Sequence, residues 1–374
     1  MAVTRHLLVH GPATRGHLGD HLQLSSASMS RVARALVDGG IAAEDLEPAP
    51  GIGRPRQILS AVPNARHVVG CKLTGDTVYG VLCDMMGNVT TAAQRPLPRP
   101  GRDGTVSVDD AVDAIARLTT TLAADAPAVH GLGVSVGGVV LDRSVVREGT
   151  FLGWHDVAFA PPLRERTGLP VVVTNDVAAL AREQLWFGAG RTHSTFGLIT
   201  VGAGLGFGLV REGVVVEELI DNGHLLAHAP IDVRGPRCSL GHPGCVAAYL
   251  NRDDVERRAS VAAGRRVTFD DLVTAREAGD AAAADALDTA ARALGHLVAT
   301  FAGALQTPRI VLAGEDINAI ASSAAMREVI TDRLRPGPEE AQRCVLDITT
   351  EPLTFSDWAR GAAVTGIQHV LGAA

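Results

Sequence analysis

Two short amphipathic helices meet at a tight turn, and a glycine- and proline-flanked basic loop follows. This pattern fills the first sixty residues and constrains the chain more than any other feature. Thr14 to Gly40 supplies the helices and Gly53-Arg-Pro-Arg56 the loop. Leu18 and Leu22 put an apolar stripe on the first helix, and Val32, Leu36 and Val37 put one on the second, so the pair can bury a shared seam. Ser25 stands where an N-cap belongs. The exposed start of the second helix carries Ser26, Ala27, Ser28, Ser30 and Arg31, with Arg34 following, short polar groups and forked donors suited to a major-groove floor. Gly51, Gly53 and Pro55 turn the chain between two strands and project Arg54 and Arg56 toward phosphate or a minor groove. The expectation is a winged helix-turn-helix over residues 1–62, with double-stranded DNA as its partner. The plainer alternative is a small helical cap with solvated arginines.

At 374 residues the chain calls for more than one compact unit. Hydrophobic residues make up 46% and charged residues 20%, the balance of an ordinary globular protein, and no apolar run of about eighteen residues could span a bilayer. Val3-Thr-Arg-His-Leu-Leu-Val turns polar too soon for a signal peptide, so a cytoplasmic protein without a membrane partner is expected. Residues 1–66 hold seven arginines against five acids, while the whole chain carries a charge of −7. A mildly basic head on an acidic body excludes nucleic-acid coating by the whole surface and fits a localised reader. Lys72 is the only lysine. Five scattered cysteines, at 71, 83, 238, 245 and 344, do not form a disulfide framework.

Beyond Pro63, strands alternate with helices. Val68 to Leu73, Val78 to Cys83 and Val89 to Gln94 read as neighbouring strands, and Val108 to Ala124 as a helix. Gly131-Leu-Gly-Val-Ser-Val is a buried strand ending in Gly137-Gly138. Val171-Val-Val-Thr is another, ending in Asn175-Asp176 before a helix over Val177 to Trp186. The theme repeats. Thr195 to Val201 runs into the glycine-rich Gly202 to Gly208, a long helix spans Asp280 to Gln306, and Arg309 to Glu315 is a strand and turn. An apolar helix from Trp358 to Leu371 could return to the first half. Two α/β lobes with a cleft between them follow as the economical architecture.

The body closely resembles the ROK family of repressors, open reading frames and sugar kinases, and the amino-terminal part resembles the family's repressor branch. The resemblance rests on Leu24 to Gly40 and Gly53-Arg-Pro, on Gly131-Leu-Gly-Val-Ser-Val-Gly-Gly, Leu152-Gly-Trp154 and Thr174-Asn-Asp176, and on Gly202 to Gly208 and His228 through Cys245. It implies an α/β chain in which the winged helix precedes a two-lobed, actin-like or hexokinase-like domain. The lobes would be residues 63–178 with 355–374, and residues 179–354, the second bearing a zinc-like loop and an oligomerisation surface.

Family kinases carry Asp-x-Gly-Gly-Thr in the first phosphate-binding turn, which organises the metal-bound nucleotide. Here the matching stretch is Lys72-Leu-Thr-Gly-Asp76, with a cation in place of the carboxylate. Asp176, matching the family's general base, remains, so the resemblance implies a vestigial base without a phosphate cradle and a chain that is not an enzyme. Read from its position alone, Asp176 could equally be a helix-start carboxylate satisfying backbone donors. The glycines from Gly202 to Gly208 could be a relic of a nucleotide site or simply a tight strand connection.

The family's structural zinc is held by one histidine and three cysteines. In this chain His228, Cys238 and Cys245 keep the register, while Leu240 replaces one thiolate. His242 or His224 could supply a second imidazole. Alternatively the zinc is lost and the cysteines are buried small residues. Three polar groups by which family members hold sugar hydroxyls align with Leu225, Ala247 and Phe151. An unpaired buried hydroxyl costs about 1 to 3 kcal/mol, so an ordinary hexose should bind poorly. Gly138, Asn175, Asp176 and His228 remain as effector contacts in the cleft, for a sugar-like or modified small molecule. The expected protein is a homodimeric or homotetrameric transcriptional regulator, a repressor, with a hexose kinase as the alternative.

Overall fold

The computed structural model describes residues 2–47, 56–101, 103–124, 126, 128–217, 220, 223–334 and 346–372. Its contacts divide the chain into two units, Met1–Arg191 with Phe355–Ala374, and Thr192–Thr354. A boundary between residues 178 and 179 would cut a continuous helix, and the break falls instead after Arg191.

The first unit begins with α1 (Ala2–His10), β1 (Ala13–Thr14), α2 (Arg15–His21), α3 (Ser26–Asp38), β2 (Ala42–Glu47) and β3 (Arg56–Ala61). The three strands form one small sheet in the order β1-β3-β2, and β2 and β3 are antiparallel. A winged helix-turn-helix has this order of elements. Thr14 caps α2 by accepting from the His17 amide at 3.2 Å, and Ser25 caps α3 by accepting from the Ser28 amide at 3.2 Å. The seam between α2 and α3 is closed by Leu18, Met29 and Ala33, with Val3 and Leu7 of α1 and Leu59 of β3 beneath. Val32 and Leu36 flank this core, but Val37 does not join it, being 37% exposed. At about 100° per residue Val37 lies about 90° from the middle of the buried stripe. α1 was not expected from the sequence.

The rest of the first unit is built on β4 (His67–Leu73), β5 (Thr77–Cys83), β6 (Val89–Pro96), β7 (Val129–Val136) and β11 (Val171–Asn175). Their order is β11-β7-β4-β5-β6, parallel across β11, β7 and β4 and antiparallel across β4, β5 and β6. α4 (Val108–Ala123) covers one face. A three-stranded sheet of β8 (Val139–Leu141), β9 (Val145–Gly149) and β10 (Trp154–Ala158) sits between β7 and α5 (Ala160–Thr167) in the chain, and α6 (Asp176–Phe187) follows β11. The helix Phe355–Val370 covers the other face. It lies so close that a Cβ on Gly70 would come within 2.1 Å of the Ala359 carbonyl oxygen, and one on Gly133 within 1.9 Å of that of Ala362. Only glycine permits that approach.

In the second unit β12 (Phe196–Val201), β13 (Leu205–Arg211), β14 (Val214–Val215), β15 (Arg309–Gly314) and β16 (Asp347–Pro352) form a sheet ordered β14-β13-β12-β15-β16. With the strands of each five-stranded sheet numbered among themselves in chain order, both sheets read 3-2-1-4-5, with the same strand directions. The architecture is therefore one α/β design used twice. The helix Ala281–Leu305, capped by Asp280, buries Leu287, Leu294, Leu297 and Phe301 against the second sheet and its neighbours. Of the glycine-rich run, residues 202–204 make the turn, and Leu205 onward is strand. No helix among the described residues is long and apolar enough to cross a membrane.

Candidate functional site

In the head, α3 turns its buried side inward and leaves Ser26, Ala27, Ser30, Arg31 and Arg34 exposed, with Ser28 half-buried. Ser28 is partly engaged at home, receiving hydrogen bonds from Ser25 Oγ at 3.0 Å and from Arg31 at 3.4 Å. Arg15 pairs with Glu44 of β2 at 2.6 Å, tying the start of α2 to the wing strand. Arg54 lies outside the described residues. Arg56 opens β3 opposite Glu47, and its side chain also lies outside them.

In the first unit, β4 delivers Lys72 and the start of α6 delivers Asp176. Lys72 Nζ forms an ion pair with Asp176 Oδ2, with side-chain exposures of 8% and 17%. The other carboxylate oxygen accepts from the Val177 amide at 2.9 Å, and the Trp358 ring lies 5.6 Å from the ammonium. Both oxygens of Asp176 therefore have partners from the chain itself. Asn175 caps α6 by accepting from the Ala178 amide at 3.0 Å, and its Nδ2 donates to the Gly138 carbonyl at 2.7 Å. That bond ties the end of β11 to the Gly137-Gly138 turn. Gly138 sits at φ +124°, where a Cβ would fall 1.8 Å from the Glu148 carbonyl oxygen. Phe151 is 55% exposed with its ring against Gly137. The turn after Lys72 closes on itself: the Thr74 amide donates to the Thr77 carbonyl, and Thr74 Oγ1 to Asp76 Oδ1, both at 3.0 Å.

The second unit gathers sulfur and nitrogen. One ligand atom each from His228, Cys238 and His242 lie within 4.8 Å of one another. His228 Nδ1 stands 3.8 Å from Cys238 Sγ and 3.6 Å from Cys245 Sγ, and His242 Nδ1 is 3.6 Å from Cys238 Sγ. Tetrahedral zinc with bonds of ~2.3 Å to sulfur and ~2.0 Å to nitrogen would separate such atoms by about 3.5 Å, so the donor set fits that ion. The loop is held by backbone bonds, Cys238 N to the His242 carbonyl at 3.1 Å and Gly241 N to the Cys238 carbonyl at 2.9 Å. Burial above all pushes the Cys245 thiol above its ordinary value. Leu240 points outward at 70% exposure. The His224 side chain lies outside the described residues.

The ROK family profile matches residues 68–367. The chain belongs to the ROK family. ROK proteins similar to it include the xylose repressor of Bacillus subtilis, 22% identical over 76% of this chain and 73% of that one. A glucokinase of Halalkalibacterium halodurans is 27% identical over 67% of this chain and 80% of its own. Among solved structures, a ROK family transcriptional regulator, a homologue of the E. coli MLC protein, aligns with a TM-score of 0.79. It is 23% identical and covers 99% of this chain and 97% of its own. That alignment takes in the head as well as the body and shows a shared fold.

The structure brings Gly138, Asn175 and Asp176 together in the first unit, whereas His228 belongs to the second, with its Nδ1 against two thiols. The residues expected at sugar-contacting positions divide likewise, exposed Phe151 lying in the first unit and exposed Leu225 and buried Ala247 in the second. What sequence reading missed is the partner of Lys72. The signal was available in hindsight, since Lys72 is the chain's only lysine and Asp176 is the acidic residue at the start of a helix that follows a buried strand.

Proposed function

We propose that this ROK chain is a transcriptional regulator, a repressor, whose residues 1–62 read an operator in double-stranded DNA. Ser25, Ser26, Ala27, Ser28, Ser30, Arg31 and Arg34 present the face of α3 to a major groove, and Arg54 and Arg56 of the wing reach the flanking backbone or minor groove. The observation that carries this reading is the side-chain-capped α3, with its polar and cationic positions exposed beside a two-stranded wing. Residues 63–191 with 355–374 and residues 192–354 serve as sensor and oligomeriser in a homodimer or homotetramer, which sets the spacing of two half-sites. The proposed effector is a sugar-like or modified small molecule contacting Gly138, Asn175 and Asp176 of the first unit. Zinc held by His228, Cys238 and His242, with Cys245 beside them, would fix the loop and supply no chemistry of its own. A protein with this target works in the cytoplasm.

The test is selection of bound fragments from genomic DNA, followed by titration of the best fragment against salt. A salt-sensitive preference for particular fragments over random duplex, weakened in Arg34→Ala and Arg54→Ala without loss of folding, supports the reading. Equal affinity for all duplexes overturns it.

The second reading, a hexose kinase using ATP, is favoured by the retained Asp176 and by the similarity to a glucokinase. Against it stands Lys72, which puts a positive charge where a metal-bound nucleotide needs a carboxylate. Turnover of any hexose with ATP that vanishes in Asp176→Ala would establish the kinase.

A further inference from the structure

Four of the chain's thirteen histidines fall in its first twenty-one residues, and the fold draws them together. His6 and His10 are one turn apart on α1, and His17 and His21 are one turn apart on α2, so each helix presents a pair of imidazoles from one face. Ring centroids are 4.9 Å apart for His6 and His10, 5.0 Å for His6 and His21, 5.7 Å for His6 and His17, and 6.0 Å for His17 and His21. The four rings, with Pro12, Ala13 and Thr14, line a cavity of about 500 Å³.

We propose that His6, His10, His17 and His21 form an all-imidazole site for a borderline divalent transition-metal ion, such as zinc, nickel or cobalt, bridging the first two helices of the head. Four imidazoles around one tetrahedral ion, at metal–nitrogen distances of ~2.0 Å, would have centroids about 5 Å apart, which His6 already meets with His10 and His21, while His17 would have to draw in. His6 is buried at the floor, whereas His10, His17 and His21 are exposed, so their rings are free to turn onto an ion above it. Burial first, and then the neighbouring imidazoles, hold His6 below its ordinary value of 6.5, and burial does the same for His10. Both rings are thus neutral, ligand-competent bases at neutral pH. The donors are imidazole nitrogens with no carboxylate among them, a set that suits borderline ions and disfavours hard ones such as magnesium or calcium, while Arg5 and Arg191 near His10 set a charge that the four metal–nitrogen bonds must overcome.

The ion would pin α1 to α2, and α2 shares the Leu18–Met29 seam with α3. Metal occupancy would therefore stiffen the mounting of α3. Binding of the ion does not depend on the proposed regulatory role, and its donors are nitrogen alone, unlike the sulfur-containing cluster of the second unit.

The test is cobalt(II) titration of the full-length chain, read by equilibrium dialysis and X-ray absorption, in a Cys238→Ser/His242→Gln background that removes the other cluster. About one cobalt per chain with a nitrogen-only first shell is expected. Adding His17→Gln and His21→Gln, exposed changes that leave the core intact, should abolish that equivalent while the metal-free thermal melt stays unchanged. Absence of cobalt from the background variant, or its retention after both glutamine changes, overturns the site. Failure of the zinc reading in the second unit would show separately, as absence of sulfur ligation in the unmutated chain.

Discussion

Asp176 and His228 mark two clusters that this chain has treated in opposite ways. In the first unit a carboxylate has been given its counter-charge from within: Lys72 takes one oxygen and the Val177 amide the other. In the second unit two thiols and two imidazoles have been brought together, all electron-rich donors facing one another. The first arrangement is complete without a ligand, whereas the second gains from a cation. One cluster thus carries its charge balance within the chain, while the other gathers donors that suit a metal.

The largest effect should come from breaking the first arrangement. Lys72→Met leaves a mostly buried carboxylate without its cation and is expected to cost about 3 kcal/mol. Chemical denaturation should show the loss, and Lys72→Met/Asp176→Asn should recover most of it. An unchanged midpoint in Lys72→Met would mean that the ion pair is not what completes the site.

For the second cluster, zinc at a hundredfold excess over its dissociation constant should raise stability by about 2.7 kcal/mol. In a His17→Gln/His21→Gln background, which removes the imidazole cluster of the head, differential scanning calorimetry should show that increment with Cys238 intact and none in Cys238→Ser. Zinc stabilisation that survives Cys238→Ser in that background would undo the contrast.

Acid should act on both units to a smaller extent. Burial holds His130 and His369 of the first unit and His296 of the second below their ordinary 6.5. Between 6.5 and the folded values the unfolded chain binds more protons. Stability contributed by these residues is therefore present above pH 6.5 and is lost as the pH falls through the folded values. Melting followed from pH 7.5 downward should show a falling midpoint, moderated in His369→Gln. The smallest effect belongs to Leu240→Ser. At 70% exposure this change should stay within about 0.5 kcal/mol and leave zinc affinity unaltered, because the position supplies no donor.

The legible parts were those where periodicity and capping agree. Ser25 with the following apolar spacing marked α3, and Asp280 with the leucine stripe marked the helix Ala281–Leu305, because cap and stripe are both local signals. Val37 was misassigned since one residue of phase decides between core and solvent. α1 went unread: its apolar residues were weighed only as a possible leader, so the pairing of its two histidines with those of α2 was invisible. The resemblance singled out Lys72 as a cation where a carboxylate was expected, but its partner lies 104 positions away, on the far side of an intervening strand. The choice between His242 and His224 as a further donor turns on how the loop from Pro236 to Gly244 folds back, which spacing alone does not encode.

The helix Phe355–Val370 lies directly on Gly70 and Gly133, in the middle of a sheet whose strands were all synthesised long before it. On the ribosome that sheet must wait, one face bare, through the production of the whole second unit. The first half of the molecule therefore matures last, and truncation by even these sixteen residues would strip it of half its cover.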